Sequence, residues 1–136
     1  AYDIPLMASH SNCRALCDHP RNLSDEQLRE LAKRDCLVGL NGTCSFVSEN
    51  KEEQNSRTLA KHASRLKGII GIDKIVVGFD FMDYFGPGFY GMISDVPCVE
   101  KAQTLFESLE AEGFTKKEIE QIAWGNVSDF LKRHIL

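Results

Sequence analysis

Three short apolar runs, Ile4–Ser9, Cys36–Asn41 and Ile75–Phe81, are separated by two stretches of helical periodicity, and this order restricts the fold more than any other feature of the chain. Each run is apolar on consecutive positions instead of alternating. That is the pattern of a parallel strand covered on both faces. Repeated strand–helix units join parallel strands through right-handed crossovers. The class is therefore α/β, and two architectures fit: an open doubly wound sheet, or a portion of a (β/α)8 barrel. A whole barrel takes about 250 residues. The chain has 136, so it reads as a single domain over 1–136 and at most part of a barrel.

The helices mark their own ends. Ser24 with Gln27 forms a capping box, in which each side chain serves a backbone N–H that the first turn leaves unpaired. Leu23 and Leu28 stand where a hydrophobic staple would, and Leu28, Leu31 and Ala32 form the buried stripe. A second helix is expected from about Thr58 to Gly68, with Leu59, Ala63, Leu66 and Ile70 on one face. A third follows Pro97, turns Ala102, Leu105, Phe106 and Leu109 inward, and stops at Gly113. Thr115 and Glu118 make a second capping box for a helix ending at Gly125; Asn126 then caps a last helix carrying Phe130 and Leu131. The polar stretch Ser48–Arg57 reads as a solvated loop.

Composition removes several partners. The net charge is −4, with no basic block interleaved with aromatics, so nucleic acid is not expected. No apolar run nears the roughly 20 residues of a membrane span, so no membrane partner is expected either. The opening AYDIPLMASHS lacks the basic and apolar regions of a signal peptide. Five cysteines in no framework spacing are expected to be reduced thiols in a cytoplasmic protein.

In α/β folds, chemistry collects at the C-terminal ends of parallel strands. The first expected strand ends in Ser9-His10-Ser11-Asn12, the second in Asn41-Gly42, the third in Gly78-Phe79-Asp80-Phe81. A neutral imidazole such as His10 is a good zinc ligand, and an aspartate such as Asp80 at a strand mouth can move a proton. Each residue also has a plain structural reading, as an incidental histidine or a loop-fixing acceptor. Arg21, between the first strand and its helix, has a planar fork suited to a carboxylate ligand, or to a surface ion pair. Cys13, Cys17 and His19 lack the second half of a zinc site, and the cysteines read as packing under a loop. His62 falls on the buried side of the second helix and reads as a satisfied core histidine.

The run PLMASHSNCRALCDHPRNLSDEQLRELAKRDCLVGLNG resembles the renal (membrane) dipeptidase family: an apolar strand, then Ser9-His10-Ser11, then a loop ending in Arg21-Asn22, then a helix beginning near an acidic pair. LKGIIGIDKIVVGFDF is similar to the helix, turn and strand that deliver the family's Gly-x-Asp-Phe motif, and GFTKKEIEQIAWGNVSDFLK to its final helices around a Gly-Asn pair. The resemblance covers essentially the whole chain and rests on three ordered motifs.

The resemblance implies a zinc metallopeptidase of the amidohydrolase type, a (β/α)8 barrel holding two zinc ions and hydrolysing dipeptides. It implies that His10 is a zinc ligand at the end of the sixth strand. It makes Arg21, with Asn22 beside it, the holder of the substrate's free carboxylate, and Asp80 the proton shuttle at the end of the eighth strand. Two departures follow from the same comparison. This chain reads Asp80-Phe81-Met82-Asp83 where the family continues Asp-Phe-Asp-Gly, which puts Asp83 in doubt. The front half of the family pattern, with its His-x-Asp pair, its bridging carboxylate and a further zinc histidine, has no counterpart here. The expectation is therefore the C-terminal portion of a TIM barrel, about three parallel strands with flanking helices, catalytically silent alone. Its partners would be a dipeptide and the missing N-terminal half of the barrel. The alternatives are a non-catalytic module that self-associates with a second copy as a homo-oligomer, through two open sheet edges and an uncovered apolar face, or a related amidohydrolase acting on another small amide.

Overall fold

The computed structural model describes residues 4–86 and 91–135, with the side chain of Asp83 outside that description, so the expectation about Asp83 falls beyond it. Strands β1 (Leu6–Ala8), β2 (Cys36–Leu40) and β3 (Ile75–Val77) form one parallel sheet in that order, with Leu6 opposite Cys36 and Val38 opposite Ile75. Helix α1 (Asp25–Ala32) crosses from β1 to β2. The short α2 (Cys44–Val47) and the long α3 (Ser56–Ile70) cross from β2 to β3. The strands are shorter than the apolar runs, yet the chain stays in line beyond them: Gly78 donates to the Leu40 carbonyl at 3.0 Å and Gly42 to that of Phe79 at 2.9 Å. Coverage on both faces holds for β2, all five residues of which are buried, but not for β1, where Met7 is 45% exposed.

Alternate residues of the sheet enter two apolar clusters. Val38, Leu40 and Ile75 pack with Leu28 of α1 and Leu59 and Leu66 of α3. On the opposite face, Leu37 and Val76 meet Phe130, with Val127 beside them. That packing partly covers the face expected to be bare. Among the described residues β1 and β3 each pair on one side only, so two open edges remain. Both capping boxes form as the sequence predicts. Helix α3 begins two residues before the expected start because Asn55 caps it and the Asp95 carboxylate takes the Ser56 N–H at 2.9 Å. The end of the supposed solvated loop is thereby tied down, and Ser56 is buried.

After β3 come α4 (Gln103–Glu112), ended by Gly113 at φ 103°, then α5 (Lys116–Glu120), a π turn (Gln121–Gly125) and α6 (Asn126–His134). The expected break at Gly125 is absent. Asn126 has helical φ and ψ of −63° and −43° and caps nothing. Instead its Nδ2 donates to the carbonyls of Ile72 and Ile75, each at 2.7 Å. The continuous helix thus passes beneath the N-terminal ends of the strands. It puts Ile122 in the first cluster and Phe130 in the second, and Arg133 forks onto Asp35 just before β2.

One backbone crossing shapes the other end of the sheet. The carbonyl oxygen of Ser9 lies 2.0 Å from where a Cβ on Gly39 would stand, and 2.0 Å from that of a Cβ on Gly78. No side chain tolerates that approach, so both positions require glycine. The chain leaving β1 therefore lies over β2 and β3, bringing His10 to their ends.

Candidate functional site

At the C-terminal ends of the strands a cavity of about 430 Å³ is lined by His10 after β1, His19 and Arg21 from the following loop, Phe46 from α2, and Asp80 and Met82 after β3. The three residues singled out for chemistry, His10, Arg21 and Asp80, meet here. Asn22 does not. It is 1% exposed; its Nδ2 donates to the carbonyls of Cys17 and Phe46, each at 2.9 Å, and its Oδ1 accepts from the backbone of Asn12. Through these bonds Asn22 braces the loop that carries Arg21.

Arg21 extends from an exposed position over the ring of Phe46, 5.8 Å from its centroid, and its Nη2 donates to His10 Nε2 at 3.3 Å. His10 Nε2 is then the acceptor nitrogen, and Nδ1 carries the proton that it donates to Ser9 Oγ at 2.7 Å. Among the described residues Arg21 pairs with no carboxylate, so the surface ion pair is not the arrangement found. Asp80 is the one non-glycine residue among those described with positive φ, 63°. Backbone held in that region is found where surrounding structure over-determines it, often at functional sites.

Reading the sequence missed the scaffold beneath these groups. Asn12 and Asn41 are fully buried. Asn12 accepts from the backbone N–H of Asn41 and donates to its carbonyl, both at 2.9 Å, and reaches the Phe46 carbonyl at 3.2 Å. Asn41 Nδ2 in turn lies 3.4 Å from the His10 carbonyl and 3.4 Å from Asp80 Oδ2. One amide thus touches groups from the mouths of β1 and β3. Asn41 stands at the end of the second apolar run, and a buried asparagine there must find partners, but its spacing does not say which.

His62 is the satisfied core histidine expected: the Cys13 N–H donates to Nδ1 at 3.1 Å, and Nε2–H donates to the Val47 carbonyl at 2.9 Å. Burial lowers its pKa. Cys13 and Cys17 lie buried under the same loop, and burial pushes the Cys13 thiol up to about 12. All five cysteines are free thiols.

Among the described residues no group of three His, Cys, Asp or Glu side chains stands together to hold a metal ion. The cavity lining includes His10, whose Nε2 faces a guanidinium, with His19 and Asp80, but these do not stand together as a ligand group. Taken alone, these residues do not fit a metal. No described helix is long and apolar enough to cross a membrane.

The family model of the membrane dipeptidases, peptidase family M19, matches residues 2–133. An uncharacterised Klebsiella pneumoniae protein from the 5′ region of pqqA is 31% identical over 94% of this chain and 46% of its own length. An uncharacterised dipeptidase of Schizosaccharomyces pombe is 29% identical over 90% of this chain and 29% of its own. The crystal structure of a Rhodobacter sphaeroides metallopeptidase, bound to a phosphinate mimic of the dipeptide L-Ala-D-Ala, superposes with a TM-score of 0.83 at 27% identity, over 96% of this chain and 36% of that one. The chain spans less than half the length of each. Its three βα units correspond to part of a barrel, which decides between the two architectures the sequence left open.

Proposed function

The chain belongs to the membrane dipeptidase family, peptidase family M19, and on that footing we propose that it supplies part of the active site of a zinc dipeptidase that hydrolyses the peptide bond of dipeptides. The observation that carries this reading is the meeting of His10, Arg21 and Asp80 around one cavity. Arg21, stacked on Phe46 and free of carboxylate partners among the described residues, takes the free carboxylate of a short peptide and so fixes it end-on. Asp80 opens onto the same cavity and passes a proton to the leaving amine. The substrate class is the one mimicked in the Rhodobacter sphaeroides structure.

Two zinc ions are the metal content proposed for the whole protein, with His10 as one ligand. A catalytic zinc normally takes about three protein ligands, so the others come from residues outside this chain. The isolated chain is accordingly silent. Dipeptide hydrolysis by the 136-residue chain with added zinc tests this: no turnover is expected, whereas turnover lost on His10→Ala overturns it. We further propose that the protein is cytoplasmic, on the ground that its five cysteines follow no framework spacing.

The open edge of β1 favours a second reading, a non-catalytic module that self-associates. Beside that edge runs a groove of about 530 Å³ floored by Leu6, Leu23 and Leu31, and Ile4 and Met7 are exposed nearby. A dimer by light scattering supports it, and a monomer at high concentration rejects it. Substrate profiling of the full-length protein separates a dipeptidase from a related amidohydrolase acting on another small amide.

A further inference from the structure

His19 lines the same cavity as Arg21. Its Nδ1 accepts the backbone N–H of Arg21 at 3.2 Å. An imidazole nitrogen that accepts a hydrogen bond carries no proton, so in the neutral ring the proton sits on Nε2. Nε2 has no hydrogen-bond partner among the described residues. The ring is held against Phe46, with centroids 4.3 Å apart, while Arg21 lies over the same phenyl group. Two donor groups that line the cavity are therefore packed on one aromatic ring, the guanidinium fork and the imidazole that carries Nε2–H. Asp80, the cavity's described carboxylate, comes from the opposite strand mouth.

We propose that His19 is a specificity-determining residue that donates from Nε2 to the free carboxylate that Arg21 holds, so that the cavity selects ligands ending in a carboxylate over the corresponding amides. This rests on the dipeptide reading for the identity of the ligand, but not on turnover or metal.

The experiment is a titration of the 136-residue chain, without added metal, followed by NMR, using L-alanyl-L-alanine and its C-terminal amide. The dipeptide is expected to bind at least about tenfold more tightly than the amide, the scale of one charge-assisted hydrogen bond. Two substitutions separate donation to the ligand from support of Arg21. In His19→Asn the side-chain oxygen can still accept the Arg21 N–H, but the distal donor is gone. In His19→Gln the amide nitrogen stands near the place of Nε2. We expect His19→Asn to lose about tenfold in dipeptide affinity, with amide affinity unchanged, and His19→Gln to keep most of it. The reverse order, with His19→Asn normal and His19→Gln weakened, assigns His19 to bracing alone and overturns the proposal. So does equal binding of dipeptide and amide, or binding of neither. Failure of the dipeptidase reading shows elsewhere, as absent hydrolysis by the full-length protein.

Discussion

Nδ2 of Asn41 lies 3.4 Å from Oδ2 of Asp80, and the two residues stand at the mouths of adjacent strands. Because Asn41 is fully buried and also bound to Asn12, its amide is a fixed point against which the Asp80 carboxylate is set. On the proposed dipeptidase reading, Asn41→Ala in the full-length protein is expected to lower kcat by about tenfold with KM little changed, since orientation of the proposed proton-transfer group, Asp80, is lost while the proposed carboxylate clamp, Arg21, remains. Steady-state kinetics checks this; a change confined to KM would reject it.

Gly39→Ala places a methyl group on the Ser9 carbonyl. The contact is with backbone, which has no rotamer to escape into, so the variant is expected to lose about 3 kcal/mol or more, at the upper end of overpacking costs. Urea denaturation reads it. Gly68→Ala, where an added Cβ meets nothing within 4 Å, is the control and is expected to be neutral or slightly stabilising.

His62 makes stability depend on pH. Burial lowers its pKa below the ordinary 6.5, so between the two values the unfolded chain binds a proton that the folded one does not. Stability therefore rises with pH across that window and falls as pH drops below 6.5, by up to about 1.4 kcal/mol per pH unit. Urea midpoints at pH values on either side should differ in the wild type and differ less in His62→Gln. Equal differences in both proteins would remove His62 as the cause.

The thiol of Cys13, pushed up to about 12 and fully buried, stays protonated and out of reach of alkylating agents near neutral pH. Iodoacetamide on the native chain is expected to leave Cys13 unmodified while the partly exposed Cys44 and Cys98 react; denaturant should open all five sites. Mass spectrometry of peptides decides it, and rapid native labelling of Cys13 would contradict the packing described.

Much of the framework was legible because its signals are local. A capping box such as Ser24 with Gln27 needs only neighbours in sequence, and it formed as expected. Consecutive apolar residues in β2 announced a strand covered on both faces. His10, Arg21 and Asp80 were found by motif and strand position, and the cavity collects them. What stayed hidden depends on distant partners. Asn126 looked like a helix cap because Gly125 precedes it; only the carbonyls of Ile72 and Ile75, far away in sequence, explain its side chain. Asn22 is expected beside the substrate's carboxylate from the family resemblance alone, and nothing in its spacing shows that its amide donates to the carbonyls of Cys17 and Phe46. Short polar side chains take their roles from whichever backbone group the fold leaves unpaired, and no periodicity encodes that.

The π turn at Gln121–Gly125 sets a phase for everything after it. One residue more than an α-helical turn requires rotates the downstream part of the helix by about 100° relative to an uninterrupted α-helix. Ile122 and Phe130, eight residues apart along one unbroken rod, reach different apolar clusters, and between them Asn126 bonds the carbonyls at the lower rim of the sheet. The segment behaves like slack taken up in one place. Deleting one residue inside it would let the ladder close as an ordinary α-helix while Asn126, Phe130 and Arg133 keep their seats, whereas the same deletion between Asn126 and Phe130 would turn Phe130 and Arg133 away from theirs by about 100°.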